Sequence, residues 1–357
     1  MQVCSPFALL ISCFIFASVS SVLTGAQDSV NRNRPRSPAV TATATPTPAL
    51  PNQKEDFDPE VVRVDTELVS TIFTAVDRDN HFITSLQPDD VRIFEDETQQ
   101  EISLFERETE RPLSVVILVD TSKSQERTLK DEKIAAEAFM RSVMQPAKDR
   151  VAVVSFTGKP TIEEHLTNNL ARLKGAVKRL RVEVPRDNAT CEEEKSVQED
   201  PLCWTSIWDS VWASTNEVLI NTGEDSRRAI ILLSDGDDTS STIERQEAIE
   251  SAVKNNVVVY SIGIGDPESY KVEQDTLSKL SNRTGGRAFF PQSNLELQAA
   301  FAQVQEELRS QYVVAYSPKN KARDGSYRQV KISIVNPELR KRGLRLLYRQ
   351  GYYGRKA

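Results

Sequence analysis

Apolar positions recur along this chain with two different periods, and the switch between them divides it. From 61 to 106 they fall at every second residue, as in Val62-Arg63-Val64-Asp65 and Val91-Arg92-Ile93-Phe94. That is the signature of antiparallel strands with one solvated face. The same alternation returns at 327–335 and 344–353. Roughly four short strands are few for an independent sheet domain, so the two flanks are predicted to meet in one small β-sandwich-like unit. Between them the period changes. Val115–Val119 is an unbroken apolar run rich in β-branched residues, and Ile230-Ile231-Leu232-Leu233 is another; such runs read as strands buried on both faces. Strands are predicted at 115–119, 151–156, 229–233, 257–262 and 312–316. They alternate with amphipathic helices over 128–144, 170–180, 205–219, 242–255, 274–282 and 295–309, with Thr128/Asp131 and Ser241/Glu244 placed as capping pairs. This layout predicts an α/β fold, a doubly wound and mostly parallel sheet with helices on both faces.

The first 56 residues are different in kind. Residues 7–19 are almost entirely apolar or small and are followed by Thr24-Gly25-Ala26, which suits signal peptidase. Export to the medium, the periplasm or the cell envelope is therefore expected. No Lys or Arg precedes the apolar run, so a longer start or a retained anchor stays open. Leu10-Ile11-Ser12-Cys13 resembles a lipoprotein cleavage box, but the apolar run continues through Phe14-Ile15-Phe16 and favours simple cleavage. Residues 27–56 are Pro/Thr/Ala-rich and are predicted to form an extended spacer. The expected organisation is thus 1–26 signal, 27–56 spacer, 57–110 first β segment, 111–316 α/β domain and 317–357 second β segment.

Charge and cysteines narrow the function classes. A net charge of -7, with no basic cluster beyond the short run at 340–345, argues against a nucleic-acid partner. Cys4 and Cys13 would leave with the signal, so Cys191 and Cys203 remain as a pair. In an oxidising compartment the simplest reading is one disulfide closing a short loop. That loop is acidic, with Glu192-Glu193-Glu194, and reads either as a solvated surface loop or as a rim that shapes partner choice.

The candidate chemistry lies where buried strands end. Asp120, Ser122 and Ser124 follow the first apolar run at alternate positions, and Asp235-Gly236 follows another. In open α/β sheets, ligands bind at the carboxyl ends of the strands. Thr205, which precedes a helix, adds a hydroxyl to the same edge. Two carboxylates and three hydroxyls are hard oxygen donors, suited to Mg²⁺, Mn²⁺ or Ca²⁺. Thr215 and Thr222 are alternatives to Thr205, and Asp209 is either an acceptor behind Thr205 or an acid favoured in the first turn of a helix.

These residues resemble the metal-ion-dependent adhesion site of the von Willebrand factor type A domain. Its D-x-S-x-S loop is matched by Asp120, Ser122 and Ser124, its Thr by Thr205 and its Asp-Gly by Asp235-Gly236. The resemblance covers about 112–316, and the flanks look like the exported bacterial proteins described as acidobacterial von Willebrand A-related. It implies a Rossmann-like domain and a non-enzymatic binding role. The cation, coordinated largely by neutral hydroxyls, would keep unsatisfied positive charge and accept a carboxylate from a protein partner.

Enzyme readings fare worse. There is no G-x-S-x-G and no H-E-x-x-H, and His81 and His165 stand alone. Gly263-Ile264-Gly265 is followed by Glu268 where a dinucleotide fingerprint needs glycine. Asp77, Asp79 and Asn80 lack the later acid of a Ca²⁺ loop and read as a hairpin turn. Trp204, Trp208 and Trp212 read as a packing stripe. The rival to a metal-dependent binding protein is an envelope-assembly module with a degenerate site; an accessory subunit of an enzyme complex is a weaker third.

Overall fold

The computed structural model describes residues 68–107, 111–183, 202, 204–223, 225–265 and 271–356. The chain divides between Val62 and Arg63, and every described residue lies in the C-terminal unit. The expected signal and spacer, the pair Cys191 and Cys203, and the acidic loop between them fall outside the described residues.

Four strands open the unit: β1 (Val69–Val76), β2 (Val91–Glu95), β3 (Thr98–Gln100) and β4 (Ile102–Arg107). There follow β5 (Leu113–Asp120), α1 (Leu129–Val143), β6 (Arg150–Phe156), β7 (Pro160–Thr167) and α2 (Leu170–Arg179). Next come α3 (Ile207–Ala213), β8 (Arg227–Ser234), α4 (Arg245–Lys254), β9 (Val257–Gly263), α5 (Gln274–Thr284), β10 (Ala288–Phe289) and α6 (Asn294–Arg309). The chain closes with β11 (Tyr312–Tyr316), β12 (Tyr327–Ile334), α7 (Pro337–Lys341), β13 (Arg345–Tyr348) and β14 (Gly351–Tyr353).

The central sheet has the order β10-β9-β8-β5-β6-β7. It is parallel except for β7, which pairs antiparallel with β6 at the edge. β5 lies in the middle, and all eight of its residues are buried. Its side chains alternate between two cores. Val115, Ile117 and Val119 pack with Phe139 of α1, Leu173 of α2 and Phe301 of α6. Val116 and Leu118 pack with Val211 of α3, Ile249 of α4 and Leu280 of α5 on the other face. Each such aliphatic side chain contributes about 1.5–3 kcal/mol by burial, so the doubly wound arrangement follows from strands apolar on both sides.

The flanking strands pair across the whole length of the unit. One sheet has the order β13-β1-β11-β4 and another β14-β12-β2-β3. Phe73, Tyr312 and Tyr316 of the first share a core with Ile93, Val330 and Ile332 of the second. The segment 312–316, expected as the last strand of the central sheet, instead joins β1 and β4 in this sandwich. All five of its residues are buried, and burial alone does not say against which sheet.

Local signals also need correction. Thr128 makes no side-chain cap on α1; its hydroxyl donates to the Gln125 carbonyl and to Gln125 Oε1. Ser241 and Glu244 form no capping box on α4, because Ser241 serves α3, as described below. The helix expected over 205–219 begins at Ile207 and widens into a π-helical segment, Ser214–Leu219. Trp208 and Trp212 of this helix pack into the second core. No described helix is long and apolar enough to cross a membrane.

Candidate metal site

Asp120 ends β5 at the carboxyl edge of the sheet and is fully buried. Its Oδ1 accepts from the Ser122 N–H at 2.9 Å, and its Oδ2 accepts from the Ser234 hydroxyl at 2.7 Å. Ser234 is the last residue of β8, so this carboxylate joins the ends of two neighbouring strands. Beyond it the chain makes one tight turn, Lys123–Gln125, which turns Ser122 and Ser124 to the same side. Their hydroxyl oxygens lie 3.0 Å apart. Adjacent vertices of an octahedron with metal–oxygen distances of about 2.1 Å are separated by about 3.0 Å, so the two hydroxyls have a spacing that a hard cation can use.

Gln125 holds this turn. It is fully buried, and its amide donates to Ser124 Oγ at 3.2 Å and to the Ile264 carbonyl at 3.3 Å. Asp235 approaches from β8. Gly236 has φ +88°, a conformation open to glycine at little cost, and it turns the chain sharply after the carboxylate. The Asp237 N–H then donates to Asp235 Oδ1 at 3.1 Å, while the Asp235 carbonyl accepts from the Glu273 N–H at 2.7 Å. The Ser124 side chain is close enough to the same carboxylate to favour its ionised form.

The electrostatics are those of carboxylates lacking a counter-charge. Burial, and then the charge of Asp235, raise the Asp120 pKa to about 7. Burial raises that of Asp235 as well. Among the described residues no lysine or arginine forms an ion pair with either. Buried carboxylates are stable as ions only when paired or bound to a cation. Two acids and two hydroxyls in this arrangement fit a divalent ion.

Thr205 stands at the same edge. Its N–H donates to Thr239 Oγ1 at 2.8 Å, and its carbonyl accepts from the N–H groups of Thr239 and Ser240. Ser206 donates to the Thr157 carbonyl beyond β6 through both its N–H and its hydroxyl. The loop before α3 is thereby tied to the loops after β6 and β8, and Thr205 is buried between them. Of its alternatives, Thr222 lies at the opposite edge, held by the Leu219 carbonyl and Arg228 Nε, and Thr215 lies in the π-helical segment.

Asp209 faces the stretch before α4. Its oxygens accept from the N–H groups of Thr242 and Ile243 at 2.7–3.1 Å. In return Asp238 Oδ1 accepts from the Ile207 N–H and Ser241 Oγ from the Trp208 N–H. The start of α3 and the stretch before α4 therefore cap one another. Asp238 and Ser241 were missed as positioning residues because the S-x-x-E spacing at 241–244 imitates a local helix start. The Asp77 turn behaves as its sequence suggests: Asp77 Oδ1 accepts from Asp79 N and His81 N, both at 2.9 Å, and Asn80 takes a left-handed φ of 63°.

Residues 115–195 match the von Willebrand factor type A domain family, which covers Asp120, Ser122 and Ser124 but stops short of Thr205 and Asp235. No curated protein matches the chain. Among solved structures, BatB from Bacteroides thetaiotaomicron is 17% identical over 55% of this chain and 98% of its own, with a TM-score of 0.42. A von Willebrand factor type A protein from Catenulispora acidiphila is 15% identical over 77% of this chain and 75% of its own, with a TM-score of 0.46. Proximal thread matrix protein 1 from the mussel byssus, with a zinc-occupied MIDAS motif, is 17% identical over 60% of this chain and 50% of its own, with a TM-score of 0.47.

Proposed function

This chain carries a von Willebrand factor type A domain, and on that premise we propose that it is an exported, non-enzymatic protein that binds a protein partner through a divalent cation. Asp120, Ser122, Ser124, Thr205 and Asp235 would hold the ion, a hard oxygen set that suits Mg²⁺, Mn²⁺ or Ca²⁺. The cation supplies an electrophilic position for an aspartate or glutamate of the partner. The protein's own residues orient it: Asp120 fixes the ends of β5 and β8, and Gln125 fixes Ser124.

The observation that carries this reading is the pair of buried carboxylates facing two aligned hydroxyls with no basic side chain between them. Export rests on the N-terminal apolar run followed by Thr24-Gly25-Ala26. The test is a Mg²⁺ titration followed by calorimetry and tryptophan fluorescence, beside Asp120→Ala. Binding that vanishes in the variant, together with partner capture reversed by a chelator, is the expected result. Capture indifferent to chelator would favour the rival reading, an assembly module that works through its β flank.

A further inference from the structure

Glu132 lies in the first turn of α1 and is fully buried. Neither of its carboxylate oxygens has a hydrogen-bond partner among the described residues. Thr128, one turn earlier, is close enough to favour the ionised form, but its hydroxyl lies within donating distance of Gln125 Oε1 at 3.0 Å and of the Gln125 carbonyl at 3.3 Å. Helical side chains lean toward the N-terminus of their helix, so Glu132 points back toward the turn that carries Ser122 and Ser124. Burial is the largest influence on it, and after Thr128 come the charges of Asp120 and Asp235, two acids of the candidate site, and then that of its neighbour Asp131.

A buried carboxylate without donors is costly even when neutral. Replacement by an apolar residue of similar size would remove that cost. A side chain kept at such expense, near two other acids, calls for a donor that the described residues do not provide. Water retained by a hydrated divalent cation is such a donor, and Mg²⁺ characteristically keeps several waters.

We propose that Glu132 is a positioning carboxylate of the cation site, which would accept hydrogen bonds from water retained by the bound ion. This rests on the metal-binding reading above. It assigns the site a third acid that touches the ion only through water, and makes the first turn of α1 part of the metal's support.

The experiment is a Mg²⁺ titration by calorimetry on the full chain, comparing the native protein with Glu132→Gln, Glu132→Met and Asp120→Ala, with melting of each in chelator. Glu132→Gln should bind Mg²⁺ at least tenfold more weakly, while its metal-free melting temperature equals or exceeds the native value. Glu132→Met should show the same split, and it gives the reading if the glutamine variant folds poorly. A purely structural role would move stability and leave affinity in place, so binding by either folded variant within twofold of native overturns the proposal while leaving the metal site standing. No binding by the native protein overturns both.

Discussion

The metal-free protein should become more stable when Asp120 is replaced by asparagine, although that substitution removes a proposed ligand. The Asp120 pKa is raised from 3.8 to about 7, first by burial and then by the charge of Asp235. The sign follows from linkage. A carboxyl group harder to ionise in the folded state costs nothing below pH 4, where it is protonated in both states. Stability is then lost as pH rises through about 4 to 7, where only the unfolded chain ionises. At about 1.4 kcal/mol per pKa unit, the ceiling on this loss is about 4 kcal/mol. Asparagine can keep the local geometry, its Oδ1 taking the Ser122 N–H and its amide donating to Ser234 Oγ, the two partners that Asp120 has now. In chelator at pH 8 Asp120→Asn should therefore gain at least about 1 kcal/mol, or about 2–4 °C in Tm for a domain of this size. At pH 5 the advantage should shrink, because native Asp120 is then largely protonated. With Mg²⁺ present the order should reverse, since only a chain that binds the ion is stabilised by mass action. Melting curves at both pH values, with chelator and with Mg²⁺, supply all four comparisons. A variant less stable than native in chelator at pH 8 would refute the argument.

Three further outcomes follow from single contacts. Gly236→Ala places a Cβ 3.0 Å from Leu277 Cγ on a residue at φ +88°; it should cost about 1–3 kcal/mol and weaken Mg²⁺ binding by displacing Asp235, both read by melting with and without the ion. Asn169→Ala removes the side-chain acceptor for the N–H groups of Ala171 and Arg172 at the start of α2, and should lower urea-unfolding stability by about 1 kcal/mol with Mg²⁺ affinity unchanged. Tyr316→Phe deprives buried Glu95 of a donor at 2.9 Å and leaves Tyr352 to serve the same oxygen; a loss of about 1–3 kcal/mol in urea unfolding is expected.

What the sequence revealed depended on how far a local pattern determines its surroundings. The inner strands β5, β6, β8 and β9 were legible because apolar runs of this length satisfy only a strand covered on both faces. β7 was not, since its eight residues are partly or fully exposed and P-T-I-E-E-H-L-T resembles a polar connection. Asp120, Ser122, Ser124 and Asp235 were legible as residues because strand ends announce them. Gln125 and Glu132 were not. In L-K-D-E-K at 129–133 the acids read as an exposed charged turn, and only the rotation of α1 against the sheet shows that Glu132 faces inward while Lys130 is exposed.

The placement of β11 explains how the site and the flanking sandwich coexist in one chain. β4 and β11 are neighbours, with Arg107 opposite Tyr312, so the chain leaves the sandwich for the α/β domain and returns to it at adjacent points. Arg349 strengthens this join, donating to the Ser70 carbonyl of β1 at 2.7 Å and to the Val253 carbonyl near the end of α4 at 3.3 Å. The residues it joins in the α/β domain lie at the amino edge of the central sheet, where β9 begins after α4. Asp120 and Asp235 lie at the carboxyl edge, roughly 23 Å away along an eight-residue strand such as β5. The sandwich therefore meets the sheet at the edge remote from the ligand loops and leaves the candidate site clear of the join.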